Sequence, residues 1–390
     1  MEANAAAEKI SETQEKQVSQ AFQVHVDRNV FLKALSHSQG VVEKRSTVPI
    51  LSHVLLETTG EGITLTATDL EVAIVETVAA QVEKPGRLTV SAHMLFDVVR
   101  KLRDGAEISL SFDEAQNRLN VESGRSHFAL PCLSPDEFPA INSGNQPYRF
   151  ILPAKDLLEL FDRVRFAMST EETRYYLNGI YLHAFQSKEL RAVATDGHRL
   201  AKMSLPLPQG AEAIPGVIIS RKTINEVLKI VSEEVLDVEV YLSNTQVSFK
   251  FSDTYFTSRL IDGTFPDYEK VIPAHNDKVM TVDMEAFAET VDRVATISSE
   301  KNRGIRLSLK TNKLVLTATS NESGHAVEEL EVDYNASGIE IGFNSRYLLD
   351  IAQQIGNESA SFSFADSTSP TIIRSRNDQE ALYVLMPMRV

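Results

Sequence analysis

The chain has 390 residues, 43% of them hydrophobic, and its 39 basic and 54 acidic side chains give a formal net charge of −15. This balance predicts a soluble protein that repels other acidic surfaces and, taken alone, argues against binding to DNA. The single cysteine, Cys132, excludes a disulfide framework and a cysteine zinc site and fits a reducing cytosol. No apolar run approaches the ~20 residues of a transmembrane helix. Residues 1–21 lack the apolar core of a signal peptide, and we expect them to form a flexible polar tail.

The sequence repeats one pattern three times. Thr66–Asp69 recurs as Val193–Asp196 and again as Thr317–Ser320, at intervals of about 125 residues. A serine that begins a helical pattern follows each of these segments. The three serines, Ser91, Ser220 and Ser345, recur with about the same period as the segments. The period suits a small domain rather than a solenoid repeat. We therefore predict a tail over residues 1–21 and three copies of one domain over residues 22–147, 148–272 and 273–390.

Each copy is predicted to begin with a short strand and an amphipathic helix. In the first copy residues 23–26 alternate as in a strand, Asp27 is suited to cap a helix, and Phe31, Leu32 and Leu35 share one helical face. Further strands follow, then a second helix at the serine, then the closing strands. This order predicts an α+β fold with two helices per copy and mostly antiparallel sheets.

Basic side chains gather on the predicted helices despite the acidic total. Arg100 and Arg103 lie three residues apart on the second helix of the first copy, and Arg221, Lys222 and Lys229 occupy the equivalent helix of the second. One such stripe is ordinarily a solvated helix face. Equivalent stripes in three copies favour a shared positive surface that attracts a polyanion without reading its sequence.

The common catalytic motifs are absent from the sequence, including the phosphate-binding glycine loops, the zinc-protease motif and the nucleophile elbow of hydrolases. The nearest candidate is Thr195–Arg199, which contains Asp196 and His198. Because the third copy has Ser320 in place of the aspartate, we interpret Asp69, Asp196 and Ser320 as turn residues that accept backbone N–H groups.

Two other function classes stay open at this point. A metal-dependent hydrolase would use Asp69, Asp196 and His198, and Asp196→Asn would abolish metal-stimulated phosphodiester cleavage. A docking scaffold would use the three copies as platforms and would not be retained on circular DNA.

The sequence closes with an unusual apolar segment, Met386–Val390. A strand ending near Leu385 followed by a frayed end is one interpretation. However, methionine adapts to differing apolar partners, and proline keeps a segment extended. The segment therefore favours a pocket that binds peptide segments from several proteins.

Several segments together resemble the bacterial sliding clamp, the beta subunit of DNA polymerase III. The resemblance runs from Phe22 to Val390. Its most specific segments are residues 174–179, 194–200, 265–268, 341–344 and 386–389.

This resemblance implies a head-to-tail homodimer in which six domain copies close a ring, with helices lining the hole and sheets outside. Duplex DNA would pass through the hole without sequence preference, and the protein would have no catalytic residues, metal or cofactor. Its partners would be the replicative polymerase, the clamp loader, and other polymerases and repair proteins that carry short peptide motifs. The implied location is the bacterial cytosol, at the nucleoid during replication.

The resemblance also assigns residues to three surfaces. The partner-peptide pocket would contain Leu177, Thr195, Gly197, His198, Arg199, Leu200, Pro266, Val271, Asn344, Tyr347, Met386, Pro387, Met388 and Arg389. The DNA contacts would be Arg45, Arg100, Arg174, Arg221 and Lys222. The ring joint would pair Arg118 and Arg125 with Glu322, Glu328 and Glu329 of the other chain around Ile297. Departures from the family pattern are Lys270, Asn302, Thr368 and Pro370 near the pocket and Glu171 in a loop expected to contact DNA.

Overall fold

In the computed structural model of the protein, the residues described are 22–44, 46–141, 144–231, 235–298 and 303–389. These residues contain six α-helices: α1 (Arg28–Val41), α2 (Ala92–Lys101), α3 (Ala154–Arg165), α4 (Arg221–Ile230), α5 (Met284–Ala295) and α6 (Ser345–Ile355). Among them no helix combines the length and the apolar composition that crossing a membrane requires.

The same residues contain twenty-six strands. They are β1 (Gln23–Asp27), β2 (His53–Thr59), β3 (Gly62–Thr68), β4 (Val72–Ala79), β5 (Gln81–Lys84), β6 (Arg87–Ser91), β7 (Glu107–Asp113), β8 (Arg118–Ser123), β9 (Ser126–Leu133), β10 (Tyr148–Pro153), β11 (Gly179–Phe185), β12 (Glu189–Thr195), β13 (Arg199–Pro206), β14 (Val217–Ser220), β15 (Asp237–Leu242), β16 (Gln246–Phe251), β17 (Thr254–Arg259), β18 (Lys278–Asp283), β19 (Gly304–Lys310), β20 (Lys313–Ser320), β21 (Gly324–Glu331), β22 (Asp333–Tyr334), β23 (Ile339–Asn344), β24 (Ser359–Phe364), β25 (Thr371–Ser375) and β26 (Ala381–Leu385).

The chain divides into two compact units. The first unit lies within residues 1–145 and 248–259, and the second lies within residues 146–247 and 260–390. The two helices of the predicted first copy fall in the first unit, and the four helices of the other two copies fall in the second. The prediction of two helices per copy is confirmed, whereas the boundaries between copies stay a prediction.

The first unit is an antiparallel sheet covered by two helices. Its strands follow the order β17-β4-β3-β2-β6-β9-β8-β7-β1-β5. Helix α1 packs on β3 and β4 and buries Phe31 and Leu35 completely. Strand β9 pairs with β6 only at Leu133 and Cys132, so the exposed residues 126–129 of β9 form a free strand edge on that side.

The second unit contains two further sheets. Nine strands follow the order β14-β11-β12-β13-β26-β25-β24-β18-β22, and four follow the order β21-β20-β19-β23. Helix α3 packs on β12 and β13, while α5 packs on β20 and β21. Because β26 lies beside β13, the last strand of the chain is joined to the middle of the nine-stranded sheet.

Polar caps fix where the helices begin, as the sequence predicted. Asp27 accepts N–H bonds from Asn29 and Val30 at 2.8 and 3.1 Å. The caps of α2, α4 and α5 are Ser91, Ser220 and Asp283. Helix α6 differs, because Ser345 is its first residue and Asn344 accepts the capping bond from the Arg346 N–H at 3.0 Å. Each cap satisfies a backbone donor that has no partner inside the helix.

The thrice-repeated segment forms the same turn in every copy. Asp69 Oδ1 accepts the N–H groups of Glu71 and Val72 at 2.9 and 2.7 Å. The Asp196 carboxylate does the same for residues two and three positions later, at 2.9 and 3.0 Å. Ser320 Oγ accepts the equivalent pair at 3.3 and 3.2 Å. The interpretation of these residues as turn residues is confirmed, because one acceptor satisfies two backbone donors where a strand reverses.

This turn generates a test in the first unit. We expect Asp69→Ala to speed hydrogen exchange of the Glu71 and Val72 amides about tenfold, since losing a side-chain acceptor costs ~1 kcal/mol or more. Asp69→Asn keeps the accepting oxygen and should exchange nearly as the wild type does. The exchange rates are measured by NMR or by fragmentation mass spectrometry. Equal rates in Asp69→Ala and wild type would refute the turn assignment.

Candidate functional site

The turn between β12 and β13 forms one wall of the candidate site. The Thr195 hydroxyl donates to the Arg199 carbonyl at 2.7 Å and accepts the Gly197 N–H at 3.1 Å. Gly197 has φ +88°, and a Cβ there would lie 2.6 Å from the Arg174 guanidinium. Glycine suits this left-handed backbone conformation, and any side chain there would push the Arg174 guanidinium aside. His198, at the tip of the turn, is exposed.

Arg199 joins this turn to two helices. Its guanidinium binds the Asp196 carboxylate at 3.1 Å, the Phe166 carbonyl at 2.7 Å and the Asp350 carboxylate of α6. It also lies over the Tyr347 ring, 4.3 Å from the centroid. Only 9% of Arg199 is exposed. A buried guanidinium is stable because two carboxylates and a carbonyl satisfy its donors.

The C-terminal segment lies against the turn rather than extending into solvent. The Met386 N–H donates to the His198 carbonyl at 2.9 Å, and the Met388 N–H donates to the Gly342 carbonyl of β23 at 2.8 Å. Met386 and Arg389 are exposed, while Pro387 and Met388 are half-buried. The interpretation of this segment as a frayed end is therefore wrong.

An apolar cluster lies beneath this wall, on one face of the nine-stranded sheet. Its buried members are Leu177, Val193, Leu200, Ile218, Phe265, Tyr268, Leu382 and Val384. The rings of Phe265 and Tyr181 stack nearly parallel, with centroids 4.9 Å apart. Of the predicted pocket residues, only Leu177 and Leu200 are buried in this cluster. Pro266 and Val271 are exposed on the segment that covers it.

Most members of this cluster were not predicted from the sequence, although the alternation of apolar residues in two strands indicates some of them. Val193 precedes Thr195 by two residues, and Leu382 and Val384 alternate toward Met386. Residues two apart in a strand point to one side, so the period-2 pattern would have found them. Phe265 and Tyr268 lie in a loop with no period, which gives no such signal.

A polar cleft of about 500 Å³ adjoins the turn. It brings four predicted pocket residues, His198, Arg199, Asn344 and Tyr347, together with Arg221, which was assigned to DNA. Its other lining residues were not predicted as pocket residues: Phe166, Met168, Ser169, Thr170, Glu171, Asp196, Arg303 and Arg346. The His198 and Tyr347 rings are nearly parallel, 6.4 Å apart.

Three of the residues that depart from the family pattern near the predicted pocket lie within the described part of the chain. Lys270 is exposed and pairs with Asp267 at 2.9 Å. The Thr368 N–H donates to Asp366 at 2.7 Å, and the Pro370 carbonyl accepts a bond from Asn276 at 2.9 Å. Asn302 lies outside the described residues.

The predicted DNA contacts differ in how strongly other groups hold them. Arg100 pairs with Asp97 at 2.8 Å, and Arg174 pairs with Glu171 at 2.7 Å. Arg221 donates to the carbonyls of Met168 and Ser169 at 2.8 Å each, and its burial lowers its pKa. Arg45 lies outside the described residues.

A second cleft, of about 710 Å³, runs along α4 and the end of α3. Four cations line it: Arg165, Arg221, Lys222 and Lys229. Arg165 pairs with Asp162, and Lys229 with Glu226, both at 2.7 Å. Each acid stands three residues before its cation, so it moderates the positive potential of the cleft.

The predicted ring-joint residues lie on exposed parts of both units. In the first unit Arg118 is the first residue of β8, and Arg125 lies in the turn between β8 and β9. In the second unit Glu328 pairs with Arg293 at 2.7 Å and Glu329 with Lys313 at 2.5 Å, both on the edge strand β21. Glu322 lies in the exposed turn before β21, and Ile297 is half-buried. Their role in a joint stays a prediction.

Comparison with known proteins extends over almost the whole chain. Family models of the DNA polymerase III beta subunit match in order: the N-terminal domain over residues 22–142, the central domain over 151–267 and the C-terminal domain over 269–389. The beta sliding clamp of Caulobacter vibrioides is 48% identical over 368 residues, which cover 94% of this chain and 99% of that protein. The beta sliding clamp of Pseudomonas aeruginosa is 39% identical over 366 residues, covering 94% and 99%.

The fold is similar to solved clamp structures as well. The crystal structure of a DnaN sliding clamp (DNA polymerase III subunit beta) from Bartonella birtlesii, bound to griselimycin, matches with a TM-score of 0.92 and 46% identity. The match covers 95% of this chain and 100% of that one.

The Arg199 contacts generate a stability test. Arg199→Met leaves two carboxylates without their buried partner, so we expect a loss of about 3 kcal/mol and a fall in melting temperature of roughly 6–12 °C. Arg376→Met, at an exposed arginine of the same unit, is the matched control and should melt within about 1–2 °C of wild type. Scanning calorimetry measures both, and equal melting of the two variants would contradict the role given to Arg199.

Proposed function

The chain belongs to the DNA polymerase III beta subunit family of bacterial sliding clamps, and on this premise we propose that it encircles duplex DNA as a head-to-tail homodimer and tethers the replicative polymerase to its template. It is a non-catalytic processivity subunit of the DNA polymerase III holoenzyme. This role belongs to the bacterial cytosol, at the nucleoid during replication.

The observation that carries the tethering role is the apolar cluster with the C-terminal segment held beside it. Leu177, Leu200 and Val384 supply buried apolar area, while Met386 and Val271 stay exposed at 37% and 42%. Exposed apolar side chains at the margin of a pocket suit a short apolar peptide. We assign this pocket to peptide segments of the replicative polymerase, the clamp loader, other polymerases and repair proteins.

Contacts with DNA in this account are numerous but weak. The helix cations Arg100, Arg165 and Lys229 each share their charge with an acid three residues away. Phosphates therefore compete with carboxylates for these groups. A ring held on DNA by its closed shape needs only such sequence-independent contacts, and tight ones would oppose sliding.

The ring joint is assigned to two free strand edges. Residues 126–129 of β9 and the strand β21 expose backbone groups of the kind that pair with another chain. In the proposed dimer the first-copy edge of one chain pairs with the third-copy edge of the other, which makes a closed heterologous interface. The charges of Arg118, Arg125, Glu322, Glu328 and Glu329 would complement one another there.

Chemistry at Asp69 and Asp196 has no support in this geometry. Each aspartate uses one carboxylate oxygen for two backbone amides of its own turn. In the described part of the chain, no group of three or more His, Cys, Asp and Glu side chains is arranged to hold a metal ion.

The tethering role is tested by synthesis on a primed circle with a clamp loader and the replicative polymerase. The protein should lengthen the synthesised tracts. His198→Ala and deletion of residues 386–390 should shorten the tracts to the length without clamp, because both remove pocket contacts. His275→Ala, at an exposed histidine of the same unit, is the matched control and should behave as wild type.

Sizing chromatography of each variant accompanies this assay, since the dimer should survive both pocket changes. A dimeric truncated protein that still lengthens tracts would show that the pocket is assigned wrongly. Metal-stimulated cleavage of DNA by the pure protein, lost in Asp196→Asn, would contradict the non-catalytic role.

A further inference from the structure

A lysine stands within the apolar cluster of the proposed peptide pocket. Strand pairing places Lys202 opposite Val193 on β12 and opposite Leu382 on β26. Residues directly opposite each other in antiparallel strands project to the same side of the sheet. Lys202 therefore lies between two buried members of the cluster, on the same face.

The ammonium group of Lys202 is attracted by the carboxylates of Glu269 and Glu189 but contacts neither of them. No hydrogen bond or ion pair joins it to any residue in the described part of the chain. The side chain is half-buried, and this burial is the main reason that the pKa of Lys202 is lowered. The nearby guanidinium of Arg191 lowers the pKa further. A half-buried, unpaired cation is costly unless an anion joins it.

Arg374 also has a polar atom without a partner. It lies on β25, which is separated from β13 by the single strand β26. It follows Ile372, which packs on the cluster, by two residues of β25 and so faces the same side. Its Nε is buried and has no hydrogen-bond partner among the described residues. Its charge also acts on Lys202. The two residues stand two strands apart on this face, roughly 10 Å between backbones, a span that two long side chains can close onto one carboxylate.

The neighbouring acids are already engaged. Glu189 and Glu269 both bind the buried guanidinium of Arg191, at 2.8 and 2.6 Å. Arg191 NH1 also donates to the Tyr268 hydroxyl at 3.1 Å. Three cations therefore share this part of the sheet face with two carboxylates, and Arg191 holds both. This group of side chains therefore has a net charge of +1 beside the proposed pocket.

We propose that Lys202 and Arg374 bind a carboxylate of the partner peptide, next to the apolar anchor that occupies the cluster. The proposal rests on the proposed peptide pocket and adds a preference for acidic segments. The carboxylate comes from an Asp or Glu side chain or from the C terminus of the partner. An apolar floor beside one cation pair suits a peptide, whereas nucleic acid requires an extended row of cations.

The test uses the tightest-binding segment among overlapping peptides tiled across the replicative polymerase of the same organism. This segment is remade with Glu or Gln on either side of its apolar anchor, and with a free or an amidated C terminus. Fluorescence anisotropy measures each affinity. We expect one carboxylate form to bind wild type about tenfold more tightly than its neutral twin, as a charge-assisted hydrogen bond does. The Glu and C-terminal arms identify the source of the carboxylate.

Variants assign the preference to residues. Lys202→Met should bind charged and neutral forms equally, whereas Lys202→Arg keeps the charge and should keep the preference. Lys188→Met, at an exposed lysine in the turn between β11 and β12, is the matched control and should retain the full preference. Lys202→Met should melt no lower than wild type, because it replaces an unpaired ammonium among apolar neighbours.

The outcomes separate this inference from the proposed function. If no tiled peptide binds wild type, the peptide pocket itself is wrong. If peptides bind but charged and neutral forms bind alike, or if Lys202→Met keeps the preference, the carboxylate site is wrong. If Lys202→Met loses affinity for a single-stranded oligonucleotide and not for acidic peptides, the cations serve nucleic acid and the proposal is overturned.

Discussion

The site in the second unit depends on one buried guanidinium. Arg199 contacts its own turn through Asp196, the end of α3 through the Phe166 carbonyl, and α6 through Asp350. The His198 carbonyl of the same turn also accepts the Met386 N–H. The turn, the helices and the C-terminal segment therefore form one surface. A group with fewer donors could not make these contacts at once, and lysine would supply a point charge without the planar fork.

The basic side chains of this acidic protein are concentrated in places where they can bind anions. With a formal charge of −15, most of the surface repels DNA and acidic peptides alike. The helix cations are moderated by acids three residues away, which suits transient contacts with phosphate. Lys202 and Arg374 have no such acids and lie beside apolar side chains, which suits a lasting contact with one carboxylate. In the proposed function the same kind of charge therefore serves two purposes according to its neighbours.

Local features of this fold were predictable from sequence. Asp27, Ser91, Ser220 and Asp283 cap helices because a short polar side chain there satisfies free N–H groups, and this requires no knowledge of distant residues. The shared turn of Asp69, Asp196 and Ser320 was predictable for the same reason. At α6 the helix begins at Ser345, as predicted, and the preceding Asn344 supplies the cap.

Long-range features could not be predicted in this way. Asp350 stands 151 positions from Arg199 in the chain, and no periodicity links the two residues. Lys202 reads as a solvated position in an alternating strand, and only the pairing with Leu382 places it in the apolar row. The resemblance to clamps supplied the predicted pocket residues, whereas Phe265 and Tyr268 of the apolar cluster required the loop that covers the sheet.

A ring that encircles DNA is recognised by its retention on a closed circle. Labelled protein is loaded on nicked circular DNA by a clamp loader, separated from free protein on a sizing column, and followed after the circle is linearised. A closed ring should stay on the circle and be lost from the linear form. Equal binding to circular and linear DNA, or binding to neither, would contradict a sliding ring.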